Sequence, residues 1–420
     1  MRIAVYHELP SGGAKRALFE TVRRLAERHI VDVFTVTGAD HDFCDLRPFV
    51  HAYRLANFEP RPQIRPPAAR LNALARWRDL HRLVAVAKET AAAIDRSAYD
   101  VVYANPSQWS QAPAVLGYLQ TPTVYVLHDC VAHERPTSRR YAGEWSGWWS
   151  TAFDRVDPVR AMYARTLREL DNKHTQQAST LLTNSHFTAE NIASIYGLRA
   201  HVNYFGVDTG VFRPIGDIER ANFVLSVGAV RQGKGFDFLV AALARIPEES
   251  RPPLRIVANV EHPPERRYLA EAARRHGVDL SFEIGVGEAT LVRRYNEASL
   301  VVYAPVQEPF GLVSLEAMAC GVPVVGVREG GVAETVVDGV TGYLVDRDEG
   351  RFAAAVERLM TDRDQNSALG SQARRHAVQH WAWENSVSRL EDHLSTTAGI
   401  TTADVVLPPR SPVGGSLSGA

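Results

Sequence analysis

Glu308 and Glu316 bracket a Pro-Phe-Gly turn and the start of an apolar helix in the stretch EPFGLVSLEAMACGVPVVG. Two nearby carboxylates can act as acid and base, hold a metal, or accept hydrogen bonds from the hydroxyls of a polyol. A helix opening at Gly311 would aim the N–H groups of Gly311, Leu312 and Val313 outward, a ready cradle for phosphate. Glu316 lies about a turn and a half further on, where its carboxylate could accept from both hydroxyls of a ribose, as the acidic residue of dinucleotide-binding folds does. Glu308, on the loop, would face whatever hangs beyond the phosphates. The competing reading is that Glu308 caps the helix and favours its positive end.

Two further loops have the composition of anion sites. In VGAVRQGKGFDFL, Gly228, Gly233 and Gly235 free the backbone, while Arg231 and Lys234 bring positive charge just before a helix, a combination that suits a diphosphate. The spacing is not that of a GxxxxGK[ST] loop, and a solvated basic loop is the alternative. In SGGAKRAL, Gly12 and Gly13 let a ligand approach a helix start. The same pair would serve a plain tight turn.

These loops need a scaffold, and the rest of the chain describes one. RIAVYH, VDVFTVT, DVVYAN, TVYVLH and TLLTNS read as buried strands separated by amphipathic helical runs. NYFGVDTGVFRPI breaks the alternation with Gly, Pro and Asp and reads as a linker. The alternation restarts with FVLSVGAV, LRIVANV, LSFEIG, SLVVYAP, PVVGV and TGYLV. Strand–helix–strand alternation implies α/β architecture with parallel sheets. We expect two Rossmann-like domains, residues 1–205 and 206–378, then a helix over 379–394 and a disordered tail over 395–420. Ligands of such sheets sit outside the carboxyl ends of the strands, so the cleft between the domains is the expected site.

Composition narrows the class. The 420 residues carry 45% hydrophobic and 23% charged side chains and a formal net charge of -1, so nothing global points to nucleic acid. Cys44, Cys130 and Cys320 are scattered and odd in number, which fits a reducing compartment without a zinc site. MRIAVYHELP runs straight into a strand without a leader pattern, and no apolar run is long enough to span a bilayer. A cytoplasmic protein is expected.

The block E-P-F-G-L-V-x-L-E-A-M-A-C-G-V-P-V-V, followed by E-G-G-V-A-E-T-V-V-D-G-V-T-G-Y-L-V, resembles the retaining nucleotide-sugar glycosyltransferases of family 4. SGGAKRALFETVRRLAERHIVDVFTV, LLTNSHFTAENIASIYG, NYFGVDTGVFRP and HWAWENSVSRLEDHL extend the resemblance to about residue 394. It implies the GT-B fold, two Rossmann-like domains facing one cleft, with the terminal helix returning to the N-terminal domain. It also implies roles. Glu316 would bind the donor ribose and Glu308 the donor sugar. Phe310, Gly311, Leu312 and Val313 would wrap sugar and diphosphate, mainly through backbone, and Lys234 would bind the diphosphate. His128 would be the active-site histidine, with a strand-end histidine bonded to backbone as the alternative. Gly12 and Gly13 would line the cleft from the other side. Two positions depart from the family: Ala229 stands where an arginine is common, leaving Arg231 as a substitute, and Asn259 stands where glycine is usual.

The expected activity is retaining transfer of a hexose from a UDP- or GDP-linked donor to a hydroxyl of a glycan, lipid-linked or small-molecule acceptor. GDP-mannose is the donor toward which the N-terminal half leans. A sugar diphosphate is already a good leaving group, so positive charge at the phosphates is what helps most. No Asp-x-Asp metal motif is expected at a strand end, and neither a metal nor another cofactor is expected. On the acceptor side, the basic run with Arg61, Arg65, Arg70, Arg76, Arg78, Arg82 and Lys88 could meet anionic membrane, and Trp145, Trp148 and Trp149 could form a sugar platform or interfacial anchor. A solvated helix face and packed aromatics are the alternatives. A glycoside hydrolase would need carboxylates on opposite sides of the scissile bond, which one loop–helix element does not favour. An epimerase or phosphorylase of the same fold, or a non-catalytic nucleotide-sugar-binding subunit, are the remaining alternatives.

Overall fold

The computed structural model describes residues 1–62, 71–130 and 158–400. Trp145, Trp148, Trp149, Arg65, Arg70 and the tail from 401 onward lie outside the described residues.

The first half forms a parallel sheet of β1 (Arg2–Glu8), β2 (Ile30–Val36), β3 (Ala52–Ala56), β4 (Val101–Ser107), β5 (Thr123–Leu127), β6 (Thr180–Thr183) and β7 (His201–Val202) in the order β3-β2-β1-β4-β5-β6-β7. Its central strands are buried on both faces, as parallel strands between helical layers must be. The helices are α1 (Gly13–Leu25), α2 (Leu71–Asp95), α3 (Pro158–Thr175) and α4 (His186–Tyr196). Leu18, Val22 and Leu25 recur at helical spacing and seat α1 against Ile3, Val5 and Val101.

The second half forms another parallel sheet of β8 (Ala221–Val227), β9 (Leu254–Ala258), β10 (Leu280–Ile284), β11 (Ala298–Tyr303), β12 (Val324–Val327) and β13 (Gly342–Val345) in the order β10-β9-β8-β11-β12-β13. Its helices are α5 (Phe236–Leu243), α6 (Pro263–His276), α7 (Glu288–Glu297), α8 (Leu312–Ala319), α9 (Val332–Thr335), α10 (Glu349–Thr361) and α11 (Arg363–His380). In both sheets the strand order reverses beside the first strand of the half, between β1 and β4 and between β8 and β11. That is the crevice where α/β sheets bind ligands.

The last helix, α12 (Trp383–Ala398), crosses back to the first sheet. Val387, Leu390 and Leu394 join the core formed by β1, β4 and α1. His29 Nε2 meets Glu391 Oε1 at 2.9 Å, and Thr180 meets Thr397 at 2.7 Å. This helix ends at Gly399 in a left-handed conformation, so Ser395–Ala398 are helical and not part of a disordered tail. The expected end of the helix at 394 came from composition, and composition underrated the contacts of Leu394 and Ser395 with the first domain.

Candidate functional site

The site is built first from two loops of the second sheet. The loop after β8 leads through Lys234 to Gly235, whose φ of 71° places it in the left-handed region. A Cβ there would lie 1.8 Å from the Ala304 carbonyl oxygen, so only glycine lets this loop touch the one after β11. The contact brings Lys234 to Glu308: Nζ donates to Oε2 at 2.7 Å, with both side chains about one-fifth exposed. Gly311, at φ 101°, stands at the N-cap of α8 with no side-chain cap. Glu308 is therefore not the helix cap.

Glu316 lies in the second turn of α8, buried at 7% exposure. Its Oε2 accepts from the Tyr295 hydroxyl at 2.7 Å and its Oε1 from Arg16 Nη1 at 3.3 Å. Burial raises the carboxyl pKa above its ordinary value, and Arg16 and the Tyr295 hydrogen bond act against that rise. Tyr295 is itself pushed well up, by burial first and by Glu316 second.

The first domain supplies the opposite wall. Gly12 takes φ 148°, and a Cβ on Gly13 would lie 3.8 Å from Leu312 Cδ1, so the glycine loop faces the start of α8. His128 follows β5 and is 8% exposed, with neither ring nitrogen hydrogen-bonded to a described residue. The backbone-bonded reading of this histidine is thus not realised. Burial lowers its pKa to about 3, so the imidazole is neutral at physiological pH, with one donor and one acceptor to offer. Its ring stands 5.1 Å from that of Phe205, which is 5.5 Å from Phe310. Phe310 is buried in a cluster with Tyr204, Phe205 and Trp381, which leaves its backbone for a ligand. Leu312 and Val313 are half-buried at the helix start.

Several contacts fix the cleft. Ser185 Oγ and Thr188 Oγ1 donate to the Pro309 carbonyl at 2.5 and 3.4 Å. Glu334 accepts from the N–H groups of His186 and Phe187 at 2.9 and 2.8 Å, capping α4 from the other domain. Sequence reasoning missed Arg16, Tyr295 and Glu334. Arg16 stands within SGGAKRAL and could have been found as a cation one helical turn past the loop. Tyr295 gave no signal, because an aromatic in an amphipathic helix reads as core.

Arg231 is brought to the loop but is exposed, without an ion-pair partner among the described residues. Asn259 is exposed just past the end of β9. Contrary to expectation, an Asp-x-Asp sequence does follow a strand: Asp346-Arg347-Asp348 comes directly after β13. Its side chains are spent on structure. Asp348 caps α10 through the Arg351 N–H, Asp346 pairs with Arg351, and Arg347 pairs with Glu329. Among the described residues no three His, Cys, Asp or Glu side chains cluster as metal ligands. No helix among them is long and apolar enough to cross a membrane.

The Glycosyltransferase Family 4 model matches residues 11–211, and the Glycosyl transferases group 1 model matches 210–376. Both models describe glycosyltransferases, and together they span residues 11–376 of this chain. Similar curated proteins include the D-inositol 3-phosphate glycosyltransferases of Kribbella flavida, 35% identical over 254 residues covering 54% of this chain and 58% of that protein, and of Acidothermus cellulolyticus, 34% identical over 243 residues covering 51% and 52%. The chain spans about half the length of the curated relatives it matches. Anabaena HepE in complex with UDP and glucose superposes with a TM-score of 0.68 at 21% identity, over 94% of this chain and all of that one. Sucrose-phosphate synthase from Thermosynechococcus elongatus gives 0.70 at 19% identity, over 94% and 98%. This chain shares the fold of these GT-B proteins.

Proposed function

We propose that this chain is a family 4 enzyme that transfers a hexose from a nucleotide-diphosphate sugar to a hydroxyl of its acceptor, with retention and without a metal. The observation that carries the reading is the Lys234–Glu308 contact at 2.7 Å, on the loop that leads into α8 and its ribose-ready Glu316. A sugar and its diphosphate are joined by one bond, so groups that hold them must lie side by side, and these do. Lys234 and the N-terminus of α8 would stabilise the charge that develops on the departing phosphate. Glu308 would accept from sugar hydroxyls, and Glu316 from the ribose.

In the front-face route we favour, the sugar–phosphate bond breaks and the acceptor oxygen bonds to the anomeric carbon from the same side. The acceptor proton passes to the departing phosphate oxygen. Neutral His128 is placed to hydrogen-bond a sugar hydroxyl. Asn105, on β4 next to β5, is fully buried with both side-chain polar atoms unpartnered among the described residues, which suits a hydroxyl-rich acceptor. UDP is the nucleotide to test first, given the UDP and UDP-glucose complexes of HepE, and inositol 3-phosphate the first acceptor, given the names of the curated relatives. Peripheral contact with anionic membrane stays a proposal. Anionic vesicles that fail to carry the protein in flotation at low salt would remove it.

The test is calorimetric titration with UDP and GDP in EDTA, on the wild type and Lys234→Ala, followed by transfer assays in EDTA. We expect one nucleotide to bind and the variant to bind it more weakly. Failure of both nucleotides to bind the wild type would overturn the donor site.

A further inference from the structure

Arg16 belongs to α1 of the first domain, yet its guanidinium reaches Glu316 of the second, with Nη1 at 3.3 Å from Oε1. Its Nη2 lies 3.8 Å from Glu288 Oε2 at the start of α7. Arg16 is three-quarters buried, and although burial draws its pKa down, Glu316 and Glu288 together raise it, so its charge is secure. Glu316 therefore holds one donor on each oxygen, Arg16 on Oε1 and Tyr295 on Oε2. A carboxylate oxygen accepts two hydrogen bonds. One acceptor position is left on each oxygen, the number that two neighbouring ribose hydroxyls require.

We infer that Arg16 is a positioning residue of the nucleotide site, supplied across the cleft, which holds the Glu316 carboxylate oriented for the 2′- and 3′-hydroxyls of the donor ribose. The inference rests on the nucleotide-sugar reading above. It makes the ribose clamp a property of both domains: nucleotide affinity depends on the first domain standing where α1 can reach α8. A carboxylate as buried as Glu316 loses much of its hold on hydroxyls once Arg16, its one cationic hydrogen-bond partner among the described residues, is removed.

Comparing a ribonucleotide with its 2′-deoxy form separates this role from a structural one. UDP and 2′-deoxy-UDP (or the guanosine pair, if GDP is the ligand) are titrated into wild type, Arg16→Met and Arg16→Lys. Thermal unfolding of each variant checks that it is folded. The expected result is a roughly tenfold loss of UDP affinity in Arg16→Met, a loss below about threefold for 2′-deoxy-UDP, and partial recovery in Arg16→Lys. Equal losses for the two nucleotides would place Arg16 on the phosphates or the general fold and overturn the inference, as would no loss or tighter binding. A variant that does not fold would also overturn it, by giving Arg16 a purely structural role. If the wild type bound neither UDP nor GDP, the nucleotide-sugar reading itself would fall first, and this inference with it.

Discussion

Lys234 Nζ donates to Glu308 Oε2 at 2.7 Å, although the two residues follow different strands, β8 and β11. Each holds the other's side chain in the cleft. The pair should therefore act as a unit. Lys234→Ala and Glu308→Gln should each lower kcat by about 100-fold or more, the scale for losing one preorganised electrostatic contact. The double variant should fall short of the product of the two, with a coupling of about 0.5–3 kcal/mol. Steady-state kinetics on the four proteins measures it, and strict additivity would show that the contact has no part in turnover.

Tyr295 should matter to nucleotide affinity more than to chemistry. Its hydroxyl is the second donor to Glu316. Tyr295→Phe should weaken nucleotide binding by about 1 kcal/mol, roughly fivefold, with little change in kcat. Titration of the nucleotide and saturation kinetics give both values.

His128 gives the protein a stability that depends on pH. Unfolded, this histidine takes a proton as pH falls through its ordinary value near 6.5; folded, it resists until about 3. The unfolded state thus binds more protons in that window. The contribution is fully present above pH 6.5 and is lost progressively toward pH 3, at about 1.4 kcal/mol per pH unit for one proton. His174, held near 4 by burial and by Lys173, adds the same sign. Denaturant midpoints between pH 7 and 4.5 should fall less steeply in His128→Gln than in the wild type. Parallel slopes would show that His128 titrates normally in the folded protein.

Gly235 and Gly233 both take positive φ, but only one is crowded. A Cβ on Gly235 would meet the Ala304 carbonyl at 1.8 Å, whereas nothing lies within 4 Å of one on Gly233. Gly235→Ala should cost on the order of 3 kcal/mol or more and separate Lys234 from Glu308. Gly233→Ala should cost only about 1 kcal/mol, the conformational penalty alone. Urea unfolding ranks the two, and equal losses would mean that the loops after β8 and β11 do not need their close contact.

The α/β class, the two halves and the loops that carry Gly12, Lys234, Glu308 and Gly311 were legible in the chain because they are local. Apolar runs of strand length alternating with amphipathic runs leave few arrangements, and a loop at the carboxyl end of a parallel strand faces the crevice whatever its neighbours do. The end of α12 was misjudged by composition, since Leu394 and Ser395 are held by the first domain. The Asp346-Arg347-Asp348 sequence shows the same limit from the other side, because its capping and pairing partners, and not its spacing, decide what it does.

What only tertiary structure decided is who meets whom. Lys234 on Glu308, Arg16 and Tyr295 on Glu316, and Glu334 on the start of α4 each join residues far apart in the chain. No propensity or periodicity encodes such a contact. It depends on the order in which parallel strands assemble and on how α12 ties the second half back onto the first. The sequence alone determined which side chains stand at the strand ends. Burial and charge pairing, which exist only once both sheets have formed, decided their partners.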